Sequence, residues 1–114
     1  MVAARLKTEL WVRACIFRAN REGISMVLRH KGDPTSGAVL VRINLRDGGS
    51  VVLAETRDAE GNRAWFRGSG PEPVSEETAD GYVERSRRRD PDLWVLEIDD
   101  RDSRVPFDER ILKI

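Results

Sequence analysis

Apolar residues recur at helical spacing over TELWVRACIFRANREG, residues 8–23. Trp11, Val12, Cys15, Ile16 and Ala19 share one arc of a helical wheel, the arc that faces a core. Thr8 is the expected N-cap, Glu9 stands in the first turn, and Gly23 is placed to stop the helix. Leu6, Leu10, Ala14 and Phe17 form a second apolar stripe away from the first. A helix lying on one sheet needs a single stripe. The second one predicts a cover of its own, either the C-terminal tail or another subunit.

The rhythm then changes to alternation. ISMVLRHKG, residues 24–32, places Ile24, Met26 and Leu28 against Ser25, Val27 and Arg29 and reads as a strand. The breaker-rich GDPTSG is a loop. AVLVRINL, residues 38–45, carries Val39, Val41, Ile43 and Leu45 at period two, with Arg42 and Asn44 opposite, and reads as a half-buried strand. RDGGS supplies a turn that tolerates positive φ, so VVLAET, residues 51–56, returns as a hairpin partner. RAWFRG, residues 63–68, is a short strand.

SEETADGYVERSRRR, residues 75–89, predicts a second helix. Ser75 is its N-cap, Glu76 and Glu77 open it, and Arg85, Arg87, Arg88 and Arg89 close it, as the helix dipole favours. Its core stripe, Ala79, Tyr82, Val83 and Ser86, is narrow. The residue before a proline avoids the α region, so DPD ends the helix. LWVLEI follows as a strand apolar on both faces for most of its length, the pattern of a central strand. In the tail, Val105, Phe107, Ile111, Leu112 and Ile114 are expected to dock.

The order is helix, four strands, helix, strand, in one domain over residues 1–114 with no internal repeat and no linker. Hairpin-length turns between successive strands predict an α+β fold: a mainly antiparallel sheet of about five strands with both helices packed on one face.

Composition narrows the function more than it defines it. The chain has 114 residues, and its 20 Lys and Arg balance 20 Asp and Glu. That balance argues against a partner bound chiefly by counterion release. One cysteine, Cys15, allows no internal disulfide, and one histidine, His30, leaves too few ligands for a zinc site of the usual kind. No stretch approaches a membrane span and no N-terminal apolar leader is visible, so a cytoplasmic protein is expected. Three tryptophans, Trp11, Trp65 and Trp94, are many for this length, and they are candidates to anchor the core.

Three phrases carry a resemblance: RLKTELWVRA near the start, GDPTSGAVLVRIN in the middle, and DPDLWVLEIDDR after the second helix. Together they resemble a mainly alphaproteobacterial family of small single-domain proteins described as a domain of unknown function, family number 1491. The resemblance spans nearly the whole chain. It implies a free-standing bacterial domain and carries over no activity, cofactor or site residue.

The residues offer four pieces of candidate chemistry. Asp92, Glu97 and Asp99 lie in an acidic run that offers hard oxygen ligands to a cation. Leu93, Trp94 and Val95 stand where a calcium loop needs alternating carboxylates, and no lysine follows Glu97 at the spacing of a metal nuclease. The acids therefore read first as solvated ends of a buried strand, pairing with nearby arginines for about 0 to 1 kcal/mol each. Arg63, Trp65 and Arg67 share a strand face, with Arg42 on a neighbouring strand, an arrangement that stacks bases in single-strand-binding domains. His30 with Cys15 would suggest nucleophilic catalysis, although Cys15 lies in the apolar arc of the first helix and reads as a small hydrophobe. Leu10, Ala14 and Phe17 are a candidate self-association patch.

The expectation is a non-enzymatic protein, without cofactor, that acts by binding a protein partner and can pair with a second copy of itself. Single-stranded nucleic-acid binding through Arg42, Arg63, Trp65 and Arg67 is the alternative. A metal-dependent hydrolase at Asp92, Glu97 and Asp99 is the third reading.

Overall fold

The computed structural model describes residues 6–112. Ile114, one of the residues expected to dock, lies outside them. The elements are α1 (Thr8–Glu22), β1 (Ser25–His30), β2 (Val39–Asn44), β3 (Ser50–Arg57), β4 (Arg63–Arg67), α2 (Glu76–Arg89), β5 (Trp94–Asp99) and β6 (Ile111–Leu112). One six-stranded mixed sheet runs in the order β1-β5-β2-β3-β4-β6. β1 with β5, β2 with β3, and β3 with β4 are antiparallel; β2 with β5 and β4 with β6 are parallel. The parallel β5 enters between β1 and β2 because α2 carries the chain back across the sheet. β6 is a two-residue pairing at the far edge, and no alternation in so short a stretch announces it.

The two helices lie on opposite faces of the sheet, which corrects the expectation that both pack on one face. Val39, Val41, Ile43, Val51, Leu53, Trp65, Leu96 and Ile98 pack with Trp11, Val12, Cys15 and Ala19 of α1. Leu40, Val52 and Val95 pack with Ala79 of α2, flanked by Tyr82 and Val83. The register explains the split. Val41 opposes Leu53 and Leu96, whereas its neighbour Leu40 opposes Ala54 and Val95. Side chains alternate between faces, so three adjacent strands with apolar residues at consecutive positions need cover on both sides. β2 is accordingly buried on both faces rather than half-buried, Arg42 included.

Trp94 joins the layers to the loops. Its indole Nε1 donates to the Asp33 carbonyl at 2.7 Å, and Asp33 N donates to the Asp92 carbonyl at 3.0 Å. Gly32 and Gly37 press against the Asp92 carbonyl and the Trp94 ring, where a Cβ would overlap backbone. The GDPTSG loop also caps α1. Thr35 and Pro34 carbonyls accept from the amides of Thr8 and Glu9, so Thr8 is the first residue of the helix rather than its N-cap. Its hydroxyl donates to the Gly37 carbonyl at 2.8 Å. Ser75 caps α2 as expected, accepting from Thr78 N, and Gly23 closes α1 in the left-handed conformation.

Candidate functional site

The face proposed for base stacking is closed. Trp65 is 0% exposed, and its ring lies 5.6 Å from Trp11 and 4.8 Å from Phe107. Arg63 does share that face, with its guanidinium over the Trp11 ring at 4.5 Å, facing inward. Its Nε lies 3.3 Å from Glu55, whose side chain is 9% exposed. Arg67 folds onto the Pro71 carbonyl. Arg42 is on the opposite face, paired with Asp80 of α2 and donating to Asn44. The four residues form no common surface. A tryptophan between Ala64 and Phe66 in a short strand is burial chemistry first, and α1 supplies the cover.

The acidic run does not converge on a cation. Asp92 is in the turn before β5, its amide bound by the side chain of Asp90. Glu97 accepts from Arg29 through both oxygens, at 3.3 and 3.2 Å, and from Asn44. Asp99 lies 3.7 Å from Arg46. Asp100, the buried acid of the group, accepts from Arg104 at 2.8 Å and from the amides of Asp102 and Arg104. Arg104 foremost, then those amides, holds the Asp100 carboxyl below the usual carboxylate range. Among the described residues no three His, Cys, Asp or Glu side chains are placed to hold a metal ion. Nor do Cys15 and His30 meet. Cys15 is buried under α1, and burial foremost, with Glu109 nearby, pushes its thiol up to about 12. Such a group is not a nucleophile at neutral pH.

His30 belongs to a feature that linear reading does not assemble. α2 covers β2 and β3 but leaves β1 open, and a cleft of about 270 Å³ lies between them. Val95, Glu97 and Arg42 form its floor, and Arg29 and His30 one wall. The other wall is a stripe of α2: Asp80, Val83, Glu84 and Arg87. His30 Nδ1 lies 2.7 Å from the Leu93 carbonyl. A carbonyl only accepts, so Nδ1 carries a proton, and in the neutral imidazole Nε2 is the acceptor. The signal in the sequence is the i, i+4, i+7 spacing of Asp80, Glu84 and Arg87 on one helical face.

The second feature is the outer face of α1. Leu6 is 51%, Leu10 49% and Phe17 65% exposed, and Ala14 lies among them, also exposed. Among the described residues the tail does not cover them. Phe107 enters the core against Trp11 and Trp65, and Ile111 and Leu112 extend the sheet beside β4. Lys7, Arg13 and Arg21 are exposed on the same outward side, and Arg21 lies 5.9 Å over Phe17. The acids of α1 sit at its margins, Glu9 with Lys31 at 3.2 Å and Glu22 with Arg18 at 2.6 Å. No helix among the described residues is long and apolar enough to cross a membrane.

Comparison with known proteins finds this architecture elsewhere. A crystal structure of a DUF1491 family protein from Caulobacter crescentus is 38% identical, with a TM-score of 0.83 over 95% of this chain and 100% of that one. An NMR structure of a DUF1491 family protein from the same organism is 37% identical, with a TM-score of 0.83 over 97% of this chain and 100% of that one. A solution structure of a protein from A. tumefaciens is 32% identical, with a TM-score of 0.70 over 84% of this chain and 86% of that one. No curated protein matches. The family model described as a protein of unknown function, DUF1491, matches residues 6–108, and the chain belongs to that family.

Proposed function

We propose that this protein works by binding another protein, and that the outer face of α1 is the docking surface. The observation that carries this reading is the uncovered stripe of Leu6, Leu10, Ala14 and Phe17 on a helix whose opposite side is fully packed. An apolar stripe of that spacing suits an amphipathic helix laid against it. The flanking charges choose the partner. Lys7, Arg13 and Arg21 stand beside the stripe, while Glu9 and Glu22 are held at its margins. Two copies of this face would set like charges opposite one another. An acidic amphipathic helix would meet opposite charges, which speed encounter and reject wrong partners.

The test is fluorescence anisotropy with a labelled synthetic amphipathic helix carrying leucines on one face and glutamates on its flanks. Saturable binding that weakens with salt, and falls about tenfold or more in L10S/F17S, is expected. Sedimentation of the protein alone guards against the rival occupant. A dimer dissolved by the same double substitution would place a second copy on the stripe and overturn the acidic partner.

A further inference from the structure

The cleft between α2 and β1 lies on the other side of the sheet from the docking face and is chemically unlike it. His30, Glu84 and Arg87 line both this cleft and the shallower hollow that continues from it beside Arg88 and Pro91. These three mark the mouth where the two spaces join. Deeper in, the charges are already committed: Arg29 to Glu97, and Arg42 to Asp80 and Asn44. At the mouth they are free or loosely held. Among the described residues Glu84 has a single ion pair, with exposed Arg88 at 3.5 Å, which water screens. Arg87 is exposed and has no ion-pair partner among the described residues. His30 has one nitrogen bound to Leu93, and the other has no partner among the described residues.

The free groups are therefore two acceptors, Glu84 and His30 Nε2, beside one forked cationic donor, Arg87. Glu84 and Arg87 are three residues apart on α2, about 4.5 Å along the axis at the helical rise. Val83 of the α2 wall and Val95 of the floor provide an apolar surface next to them. The lining as a whole balances three arginines against three carboxylates, so neither a polyanion nor a polycation suits it.

We propose that the cleft binds a free α-amino acid with a small apolar side chain. Glu84 and His30 Nε2 accept from the ammonium, the Arg87 fork donates to the carboxylate, and the side chain rests against Val83 and Val95. A carboxylate and ammonium joined through one carbon match the close spacing of the two kinds of group. Either ion alone would leave one half of the mouth unpaired.

NMR titration with L-valine tests this, read at the His30 imidazole and the Arg87 guanidinium. Saturable shifts at both are expected with L-valine, and none with sodium acetate, methylamine or inorganic phosphate alone. Glu84→Gln and Arg87→Gln are exposed substitutions that leave the fold intact, and each is expected to weaken binding about tenfold or more. Arg85→Gln, on the same helix but outside the cleft, is expected to bind as the parent does. No saturable shift with L-valine, equal binding of acetate or phosphate, or full binding in both E84Q and R87Q would each overturn the assignment.

Discussion

The two faces of the sheet carry different chemistry. Under α1 the layer is dense and aromatic: Trp11, Trp65 and Phe107 interlock with ring centroids 4.8 to 5.7 Å apart, and Trp94 closes one end. Even its charges are drawn inward, with Glu55 held between Arg57 and Arg63. Under α2 the contacts are mostly aliphatic: Leu40, Val52, Ala79, Leu93 and Val95, with Ala38, Ala54, Val74, Val83 and one aromatic ring, Tyr82, at the margin. Arg42 and Glu97 occupy positions on that face where the α1 side has Val41 and Leu96. A narrow helix over mostly aliphatic residues covers β2 and β3 and leaves the β1 side open to solvent. The lesson is a division of labour. Aromatic burial on one face secures the fold, which frees the other to hold a polar cleft, while the outward side of α1 is free to meet a partner.

The largest expected break is Trp65→Ala, which should cost about 3 to 5 kcal/mol, because a large ring leaves a cavity among rigid neighbours. Chemical denaturation measures it. Leu40→Ala on the α2 face should fall toward the lower end of about 2 to 5 kcal/mol, and equality of the two would remove the contrast. Glu55→Gln should also be severe, about 3 to 5 kcal/mol. It would leave two arginines facing one another with Val39 N short of its charged acceptor.

Overpacking probes the other layer. Ala79 is fully buried against Leu40 and Val52, so Ala79→Leu should cost about 1 to 3 kcal/mol and widen the α2–sheet gap. Loss of the L-valine response in that variant, at retained fold, would show that α2 sets the cleft walls.

Acid should act near the ends of α1. The Ser36 and Thr35 amides hold the Asp33 carboxyl low, and Arg104 does so for Asp100. Both folded values lie below the unfolded ones, so their stabilisation is complete above the ordinary carboxylate range. It is lost as pH falls through the depressed values. Arg104 also donates to the Glu22 carbonyl, so protonating Asp100 loosens the end of α1. Thermal melts of Asp100→Asn should lie below the parent at neutral pH and converge with it in strong acid. The smallest effect belongs to L10S/F17S. Each substitution should change stability by no more than about 0.5 kcal/mol, since neither side chain is packed, while docking of the acidic helix is lost.

Much of this was readable in advance. α1 and α2 announced themselves by period and by their end signals, Gly23 and Ser75. The family was legible in three phrases along the chain. Trp94 as a buried anchor followed from an apolar strand after Asp-Pro-Asp, and it is buried. The layer count was not legible, although LWVLEI is apolar on both sides. Which helix covers which face depends on the order of strands, and a local pattern is silent on order. The candidate site was hidden for the same reason. His30 is 54 residues before Glu84 by number, and only the insertion of β5 between β1 and β2 brings their elements to one cleft.

Local rhythm and end signals, then, determined the helices, most strands and the residues that must leave water, because backbone geometry and apolar burial act over a few neighbours. Only the tertiary structure decided that Trp65 is sealed and Leu10 and Phe17 are left out, and that Arg42 turns away from Trp65. Those outcomes depend on what lies across the sheet, and chain segments far apart in sequence supply it.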